Sequence, residues 1–344
     1  MTSTTGATPS GASRGRLAPS LQRAGPFLFV AGLGAVTFAE LGPQQFANAL
    51  TIGAIYALVA LGYTMVYGII ELINFAHGEV FMVGSFISMY FLTTGLGQRG
   101  AIGDPLLLVL VIAAAFLVTM LVNGVLGVII ERFAYRPLRN APRLAPLITA
   151  IGVSFILQNI VQVVFGRGNV STPQLVSLNL RFEFLGASIG FLNVFIVVVA
   201  VGMMVGLQLF INKTKLGRAM RSTAQDREAA QLMGVDINQT IAATFFLAAA
   251  LAGAAGVIQG LYFGNIHFTL GFLAGLKAFT AAVLGGIGNI TGAALGGFVI
   301  GFVEVAAARY GVFEWGPAIV FVVLIVVLVF RPTGLLGQVT AERA

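Results

Sequence analysis

The chain has no cysteine, and only two of its 344 residues are histidines. Without cysteine there can be no disulfide framework, and two imidazoles offer too few ligands for a soft-metal site. Charge is scarce too: Asp, Glu, Lys and Arg make up 9% of the residues, whereas soluble globular domains average about 25%. The sequence therefore predicts no metal, no cofactor and too little polar surface for a water-soluble globule.

Hydrophobic residues, in contrast, make up 58% of the chain, and 44 residues are glycine. With a mean hydropathy of +0.96, this composition predicts a polytopic membrane protein. Its spans should be helices, because lipid satisfies no backbone hydrogen bonds and the alternating pattern of a membrane barrel is missing. A helix needs about 20 apolar residues to cross a bilayer. We expect an all-α bundle of eight to ten transmembrane helices, some short or broken, drawn from the ranges 26–41, 46–68, 76–94, 105–131, 145–165, 190–211, 238–262, 273–287, 290–309 and 314–330.

The chain divides into three predicted parts. Residues 1–25 should form a disordered cytoplasmic leader, residues 26–338 the transmembrane domain, and residues 339–344 a tail. The first apolar run is short and follows a basic leader rich in Ser, Thr and Gly. An alternative interpretation is therefore that residues 1–41 form a signal-peptide-like segment.

Basic residues are distributed unevenly among the connections. Residues 1–25, 132–144, 212–237 and 331–344 hold 14 of the 19 Lys and Arg residues. Because Lys and Arg accumulate in cytoplasmic loops, we expect these four segments, and with them both termini, to face the cytoplasm. The same asymmetry accounts for the net charge of +7 without any binding to nucleic acid.

The longest polar segment, residues 212–239, reads NKTKLGRAMRSTAQDREAAQLMGVDINQ. It predicts short helices at the membrane surface that stop at a glycine. One interpretation is a solvated basic loop. The other is a docking element, in which small residues admit a partner's backbone and charges set the register. The residues of this predicted element are Gly217, Arg218, Arg221, Asp226, Ala229, Ala230 and Gly234.

Residues 73–85, INFAHGEVFMVGS, place polar groups between two apolar runs. In a regular helix Asn74, His77 and Gly78 share one face, while Glu79 points roughly 200° away from His77. Either the helix is broken between Asn74 and Gly78, or one of the two ionisable groups faces protein. The groups could be interfacial helix caps. Alternatively, they could form a gate on the cytoplasmic half of a translocation pathway, where broken helices are tolerated.

Glycines recur every four residues in two parts of the chain, at 256, 260 and 264 and at 288, 292 and 296, with 297 and 301 beginning a neighbouring stripe. Such stripes allow helix backbones to pack closely in lipid. Alternatively, the glycines around Asn289 unwind the helix and present carbonyl groups to a zwitterionic substrate. The neighbourhoods of Asn74 and Asn289 resemble each other weakly, which predicts a possible internal repeat.

Lys277 and Glu304 are the clearest ionisable residues inside predicted spans. An unpaired charge at that depth is expensive, at about 2.5–3.5 kcal/mol. If the two spans are antiparallel about a turn near Asn289, the two residues differ in depth by only about 4.5 Å. We therefore predict that the two head groups approach each other, directly or through water, to within about 8 Å. The alternative is that Lys277 snorkels outward and Glu304 faces a water-filled cavity alone.

Four separated motifs occur in the order found in the permease subunits of branched-chain amino acid ABC importers: INFAHGEVFMVG, TKLGRAMRSTAQDREAAQLMGVD, GLKAFTAAVLGGIGNITGAALGG and RPTGLLG. The sequence resembles this family from about residue 46 to residue 338. The resemblance implies a multi-pass protein of the bacterial inner membrane that translocates hydrophobic amino acids. It also implies that the polar segment 212–239 is the loop that couples the permease to its ATPase.

The implied partners are a second homologous permease subunit, two cytoplasmic ABC ATPase subunits and a periplasmic amino-acid-binding protein. The chain has no Gly-x-x-x-x-Gly-Lys-Ser/Thr phosphate loop, so we expect ATP to be hydrolysed by a partner and the chain not to be an enzyme. Urea and short-amide permeases share a nearly identical motif around His77 and are the first alternative. An ion-coupled carrier is the second, but it would need several intramembrane carboxylates, and only Glu304 is expected well inside a span.

Overall fold

The structure, a computed structural model, describes residues 19–139, 141–142, 144–176, 181–184 and 187–337. Within these ranges the chain forms twelve α-helices and four short β-strands. The helices are α1 (Pro19–Leu41), α2 (Pro43–Ile70), α3 (His77–Tyr90), α4 (Pro105–Ile130), α5 (Leu144–Phe165), α6 (Phe191–Lys213), α7 (Lys215–Gln225), α8 (Arg227–Leu232), α9 (Ile237–Phe263), α10 (Leu270–Gly285), α11 (Ile290–Arg309) and α12 (Gly316–Phe330). The prediction of an all-α polytopic membrane protein is confirmed.

Each of the ten predicted spans corresponds to one helix. In the described ranges, seven helices are long and apolar enough to cross a membrane: α1, α2, α4, α5, α6, α9 and α11. The other three helices, α3, α10 and α12, are shorter. A π-helical turn (Phe91–Gly95) extends α3. A second π-helical turn (Glu131–Tyr135) and a 3-10 turn (Arg136–Leu138) extend α4.

The first helix begins earlier than predicted, at Pro19 rather than at residue 26. The expected leader 1–25 therefore includes part of a helix. Residues 1–18 and 338–344, which include most of the expected leader and the expected tail 339–344, lie outside the described residues.

Three helices form the centre of the bundle. In the most apolar 18-residue stretch of α2, 83% of the residues are buried. The corresponding shares are 78% in α9 and 61% in α11. The outer helices α5 and α6 bury only 17% and 22%, so their apolar side chains face the surroundings of the chain. Because the exposed surface of a membrane protein meets lipid, apolar outer helices are the expected arrangement.

Glycine stripes explain how the central helices approach so closely. A Cβ atom added at Gly297 would lie 2.5 Å from Ala57 Cα, and one added at Gly301 would lie 2.6 Å from Gly53 Cα. On α9, a Cβ atom at Gly256 would lie 2.6 Å from the backbone nitrogen of Ser85. The predicted packing role of these glycines is therefore confirmed.

The two ends of the bundle differ in structure. At one, the strand end, β1 (Val170–Ser171) pairs antiparallel with β4 (Asn265–Ile266). The hairpin of β2 (Arg181–Phe184) and β3 (Ala187–Gly190) precedes α6. The other end, the loop end, carries α7 and α8. The small sheets were not predicted, since the sequence indicated helices only.

Candidate functional site

The chain is broken between α2 and α3, where the sequence placed polar groups. The helix α2 ends at Ile70, and Glu71 takes the left-handed conformation with φ 56°. Asn74 precedes α3 rather than belonging to it, and its Oδ1 accepts hydrogen bonds from Ala76 N at 3.1 Å and from Tyr135 Oη at 3.1 Å. Asn74 thus ties the break to the π-helical turn that follows α4.

His77 and Glu79 lie inside the bundle, and both are only 1% exposed. His77 packs against Gly62 and meets the Tyr63 ring edge-on at 4.8 Å between centroids. Glu79 points to α5, where its Oε1 accepts a hydrogen bond from Gln158 Nε2 at 3.0 Å. The two groups therefore face different neighbours, as helix geometry predicted.

Gln158 and Ser154, which donate to Glu79, stand in the middle of α5. No side-chain hydrogen bond caps the start of α3, so the cap interpretation holds only in that Glu79 lies in the first turn of the helix. Glu79 is thus a second buried carboxylate inside the bundle, which the sequence analysis missed.

Two atoms of this cluster have no hydrogen-bond partner among the described residues: His77 Nε2 and Glu79 Oε2. A buried polar atom without a partner is costly, at about 1–3 kcal/mol, and both atoms pack against glycines, Nε2 against Gly62 and Oε2 against Gly271. Gly78, in contrast, packs against the backbone of Gly271 and Gly275. Its contacts are those of helix packing.

Lys277 and Glu304 form the ion pair that was expected between α10 and α11. Lys277 Nζ lies 2.7 Å from Glu304 Oε1 and 3.4 Å from Tyr56 Oη. The pair lines a cavity of about 350 Å³. The predicted contact is therefore present.

Asn289 caps α11. Its Oδ1 accepts a hydrogen bond from Gly292 N at 3.0 Å, and its Nδ2 donates to the carbonyl of Leu336 at 2.9 Å. The terminal RPTGLLG motif is tied to the same turn, since Leu335 N donates to the carbonyl of Leu284 at 2.8 Å. These contacts hold the turn between α10 and α11 together.

At the loop end, α7 and α8 are capped by side chains. Thr214 Oγ1 accepts from Gly217 N, and Asp226 Oδ1 accepts from Ala229 N, each at 3.0 Å. Gly234 has φ 85°, a left-handed conformation that suits the predicted helix stop. Both helices therefore form where the polar segment predicted them.

The predicted docking residues fall into two groups. Gly217 and Ala230 are buried and support α7 and α8, while Arg218, Arg221, Ala229 and Gly234 are exposed and Asp226 is half-buried. Arg221 also donates to the carbonyl of Ile211. Arg227 Nη2 donates to the carbonyl of Ile69 at 2.9 Å and joins α8 to the end of α2.

The sequence analysis missed two features of the loop end. Leu232 and Met233 are 88% and 84% exposed, on a segment surrounded by charge. The second feature is a cavity of about 510 Å³ that is lined by residues of α2, α7, α8 and α9 and of the turn after α4. Near its rim, Arg139 pairs with Glu131 and donates to Asn238 Oδ1 at 2.7 Å. The signal in the sequence was the apolar pair Leu232–Met233 inside the polar segment.

The geometry is that of a polytopic, all-α membrane protein with a helix break, buried ionisable groups and a polar surface element at one end. The chain belongs to the family described as "Branched-chain amino acid transport system / permease component", which it matches over residues 45–328. No solved structure matches the chain significantly.

Named relatives cover most of the chain. It is 46% identical to the high-affinity branched-chain amino acid transport system permease protein BraD of Pseudomonas aeruginosa, over 87% of this chain and 97% of the relative. It is 43% identical to the permease protein LivH of Escherichia coli K12 over the same shares. It is 30% identical to a probable branched-chain amino acid transport permease protein LivH of Methanocaldococcus jannaschii, over 87% of this chain and 94% of the relative.

Proposed function

We propose that the chain is a membrane-spanning permease subunit of an ATP-driven ABC importer for branched-chain, hydrophobic amino acids. The observation that carries the proposal is the 46% identity to a permease of that name across 97% of its length. The half-buried ion pair of Lys277 and Glu304 in a largely apolar cavity supports the same substrate class. The chain itself supplies the membrane pathway and no catalysis.

The proposed partners are a second homologous permease, two cytoplasmic ABC ATPases and a periplasmic amino-acid-binding protein. The segment of α7 and α8 is the proposed contact with an ATPase. Its support is the combination of exposed apolar residues, Leu232 and Met233, with exposed Arg218 and Arg221 on a short, well-capped pair of helices. Apolar side chains surrounded by charge are typical of a docking surface.

The proposed location is the bacterial inner membrane, with both termini and the loop end in the cytoplasm. The basic residues support this orientation, because α7, α8 and the turn at Arg136–Leu138 lie at the loop end and carry much of the Lys and Arg. Cytoplasmic segments are enriched in these residues. The strand end would then face the periplasm.

The polar cluster around the α2–α3 break is the proposed gate. Asn74, His77 and Glu79 stand between the loop-end cavity and the bundle interior, and Tyr135, which lines that cavity, donates to Asn74. A segment that is not helical can change shape at little cost to its neighbours, which suits a gate. Gly78 and Asn289 support this region as packing and capping residues.

Copurification and uptake test the proposed function. The chain, purified from its own membrane with a mild detergent, should bring an ABC ATPase with it. Proteoliposomes of this complex should take up leucine, isoleucine or valine only when ATP and the binding protein are present. Uptake of urea or short amides instead would favour the alternative permease type, and uptake driven by an ion gradient without ATP would contradict the proposal.

A further inference from the structure

The cavity beside Lys277 has the size and walls of a small-molecule site. It measures about 350 Å³, within the range of about 300–1,000 Å³ that ligand sites occupy. Its walls come from α2, α9, α10 and α11 and are largely apolar. The apolar wall includes Ile52, Ile55, Leu270, Leu273 and Ala274.

The only ion pair within the cavity lining, among the described residues, offers one free donor and one free acceptor. An ammonium group has three N–H donors, and Lys277 directs two of them to Glu304 Oε1 at 2.7 Å and Tyr56 Oη at 3.4 Å. Glu304 Oε2 is buried and has no hydrogen-bond partner among the described residues. The ion pair is therefore neutral overall, and Lys277 has one donor, and Glu304 one acceptor shielded from solvent, without a protein partner among the described residues.

We infer that this cavity is a binding site for an apolar zwitterionic amino acid on the translocation pathway. The ligand's α-carboxylate accepts a hydrogen bond from Lys277, its α-ammonium group donates to Glu304 Oε2, and its side chain lies on the apolar wall. This inference rests on the proposed function. It assigns substrate recognition to residues of this chain, in addition to any selection by a separate binding protein.

The pairing of opposite charges explains which ligands the site should reject. A zwitterion brings one charge of each sign to the pair, so that the site stays neutral overall. An amine would add a net positive charge to the neutral pair, and a carboxylate a net negative one. Because a charge taken out of water without a counterion is strongly unfavourable, both should bind much more weakly than leucine. Urea can hydrogen-bond to both groups, but it carries no charges and has no apolar side chain for the wall, so it should also bind more weakly than leucine.

The cavity also has a suitable mouth. Its lining runs from Lys277 to His267 and Thr269, which follow β4 at the strand end. His267 is fixed there, since its Nε2 lies 2.8 Å from the carbonyl of Arg167. In the proposed orientation this end faces the periplasm, so a ligand released from the binding protein would reach the ion pair from outside.

Single cysteines report on the site directly, because the chain has none of its own. Ala274→Cys, or Leu273→Cys on the same wall, is labelled from outside with a small polar thiol reagent in the assembled importer. Leucine should slow labelling by 1 + [L]/Kd, hence by about tenfold at ten times Kd. The matched control is Gly168→Cys, at an exposed strand-end position with nothing within 4 Å, where leucine should not change the rate.

Charge variants test the ion pair itself. In Ala274→Cys/Glu304→Gln, leucine should no longer slow labelling. In the parent Ala274→Cys importer, the decarboxylated amine and the deaminated acid of leucine should not protect. Because Glu304→Gln leaves Lys277 unpaired and could disturb folding, the double change Lys277→Met/Glu304→Gln, which leaves no unpaired charge, is measured as well. It should copurify with the ATPase and lose protection by leucine.

Three outcomes are distinguishable. Normal leucine uptake by the cysteine-free importer, with protection of Ala274→Cys that depends on Glu304, supports the inference. Normal uptake by the cysteine-free importer without protection of Ala274→Cys or Leu273→Cys, or with protection that persists in either charge variant, overturns the inference while leaving the proposed function intact. Failure of the cysteine-free importer to transport any branched-chain amino acid overturns the proposed function, and with it this inference.

Discussion

Gly62 of α2 leaves room for the imidazole ring of His77 at the start of α3. The imidazole of His77 occupies the space that a side chain at position 62 would need, and the carbonyl of Ala248 would lie 3.0 Å from an added Cβ atom. Burial of the ring against Tyr63 fixes it further. A side chain at Gly62 would therefore push the start of α3 away from α2.

Gly62→Ala should destabilise the protein by about 1–3 kcal/mol, because it overpacks a close contact. His77→Ala removes the ring that an alanine at position 62 would strike. The double change should thus be more stable than the sum of the two single effects predicts, with a coupling energy of about 0.5–3 kcal/mol. Unfolding in mixed micelles measures all three proteins, and strictly additive effects would contradict the contact.

The gate proposal for His77 makes a separate prediction. His77→Ala should lower leucine uptake per membrane-inserted molecule while the ATPase still copurifies, because the ring joins α3 to Gly62 of α2 at the proposed gate. The control is Phe155→Ala, which removes an aromatic ring that is 60% exposed on the outer helix α5. Unchanged uptake in His77→Ala, normalised to inserted protein, would show that the residue has only a packing role.

Some residue contacts were predictable and others were not. The pair of Lys277 and Glu304 followed from counting residues along two adjacent helices joined by a short turn. The hydrogen bond between Glu79 and Gln158 did not, because it joins residues 79 positions apart. Nothing in an apolar helix such as α5 indicates which neighbour it will face, since hydropathy is similar on all its sides.

At the scale of elements, spans were predictable because each needs a continuous apolar run to satisfy its backbone in lipid. The predicted span 290–309 has the bounds of α11 itself, and 273–287 is shifted by only a few residues from α10. The break at residues 71–76 was predictable from its polar side chains. The strands β1 and β4 were not, because each has only two residues.

The glycine face of α11 makes a prediction at the same scale. Gly297→Val should destabilise the bundle by at least about 1–3 kcal/mol, because its side chain would meet the backbone of Ala57 at a distance that only glycine allows. The matched control is Gly202→Val in α6, where nothing lies within 4 Å of the added Cβ. The midpoint of thermal unfolding in detergent compares the two. Equal shifts would contradict close packing of α2 and α11 through this glycine.

At the scale of the whole molecule, the fold was predictable as a class but not as an arrangement. Hydropathy was enough to place the ten apolar helices, whereas the orientation inferred from charge stays a prediction. Which helices form the centre depends on the small residues that let α2, α9 and α11 approach, and these glycines have many possible partners in the sequence. The sequence alone therefore did not predict which helices pack together at the centre.

Orientation can be measured on the same cysteine-free background. Gly168→Cys at the strand end should react with a membrane-impermeant thiol reagent in intact cells, whereas Ala229→Cys at the loop end should react only after permeabilisation. The physical reason is the excess of Lys and Arg at the loop end, which favours the cytoplasm. The reverse pattern of labelling would invert the proposed topology.

The last prediction concerns the coupling of the loop end to the proposed ATPase. Leu232 is 88% exposed beside Met233. An exposed apolar side chain surrounded by charged residues contributes to the binding free energy when a partner covers it. Leu232→Glu should therefore leave the bundle folded but lower substrate-stimulated ATP hydrolysis at least about tenfold, the effect of losing roughly 1.4 kcal/mol of docking energy. Ala229→Trp should act similarly by steric intrusion, and it is a cleaner test than a substitution at Gly234, where a side chain would also strain a backbone with φ 85°.

The control for this prediction adds the same charge in the same segment. Gln239→Glu lies in the first turn of α9, which Asp236 caps by accepting from Gln239 N. A carboxylate near a helix N-terminus is favourable, so this change should leave both folding and ATP hydrolysis as they are. If Leu232→Glu and Gln239→Glu couple equally well to the ATPase, the exposed apolar pair is not part of the docking surface, and the contact must lie elsewhere on the loop end.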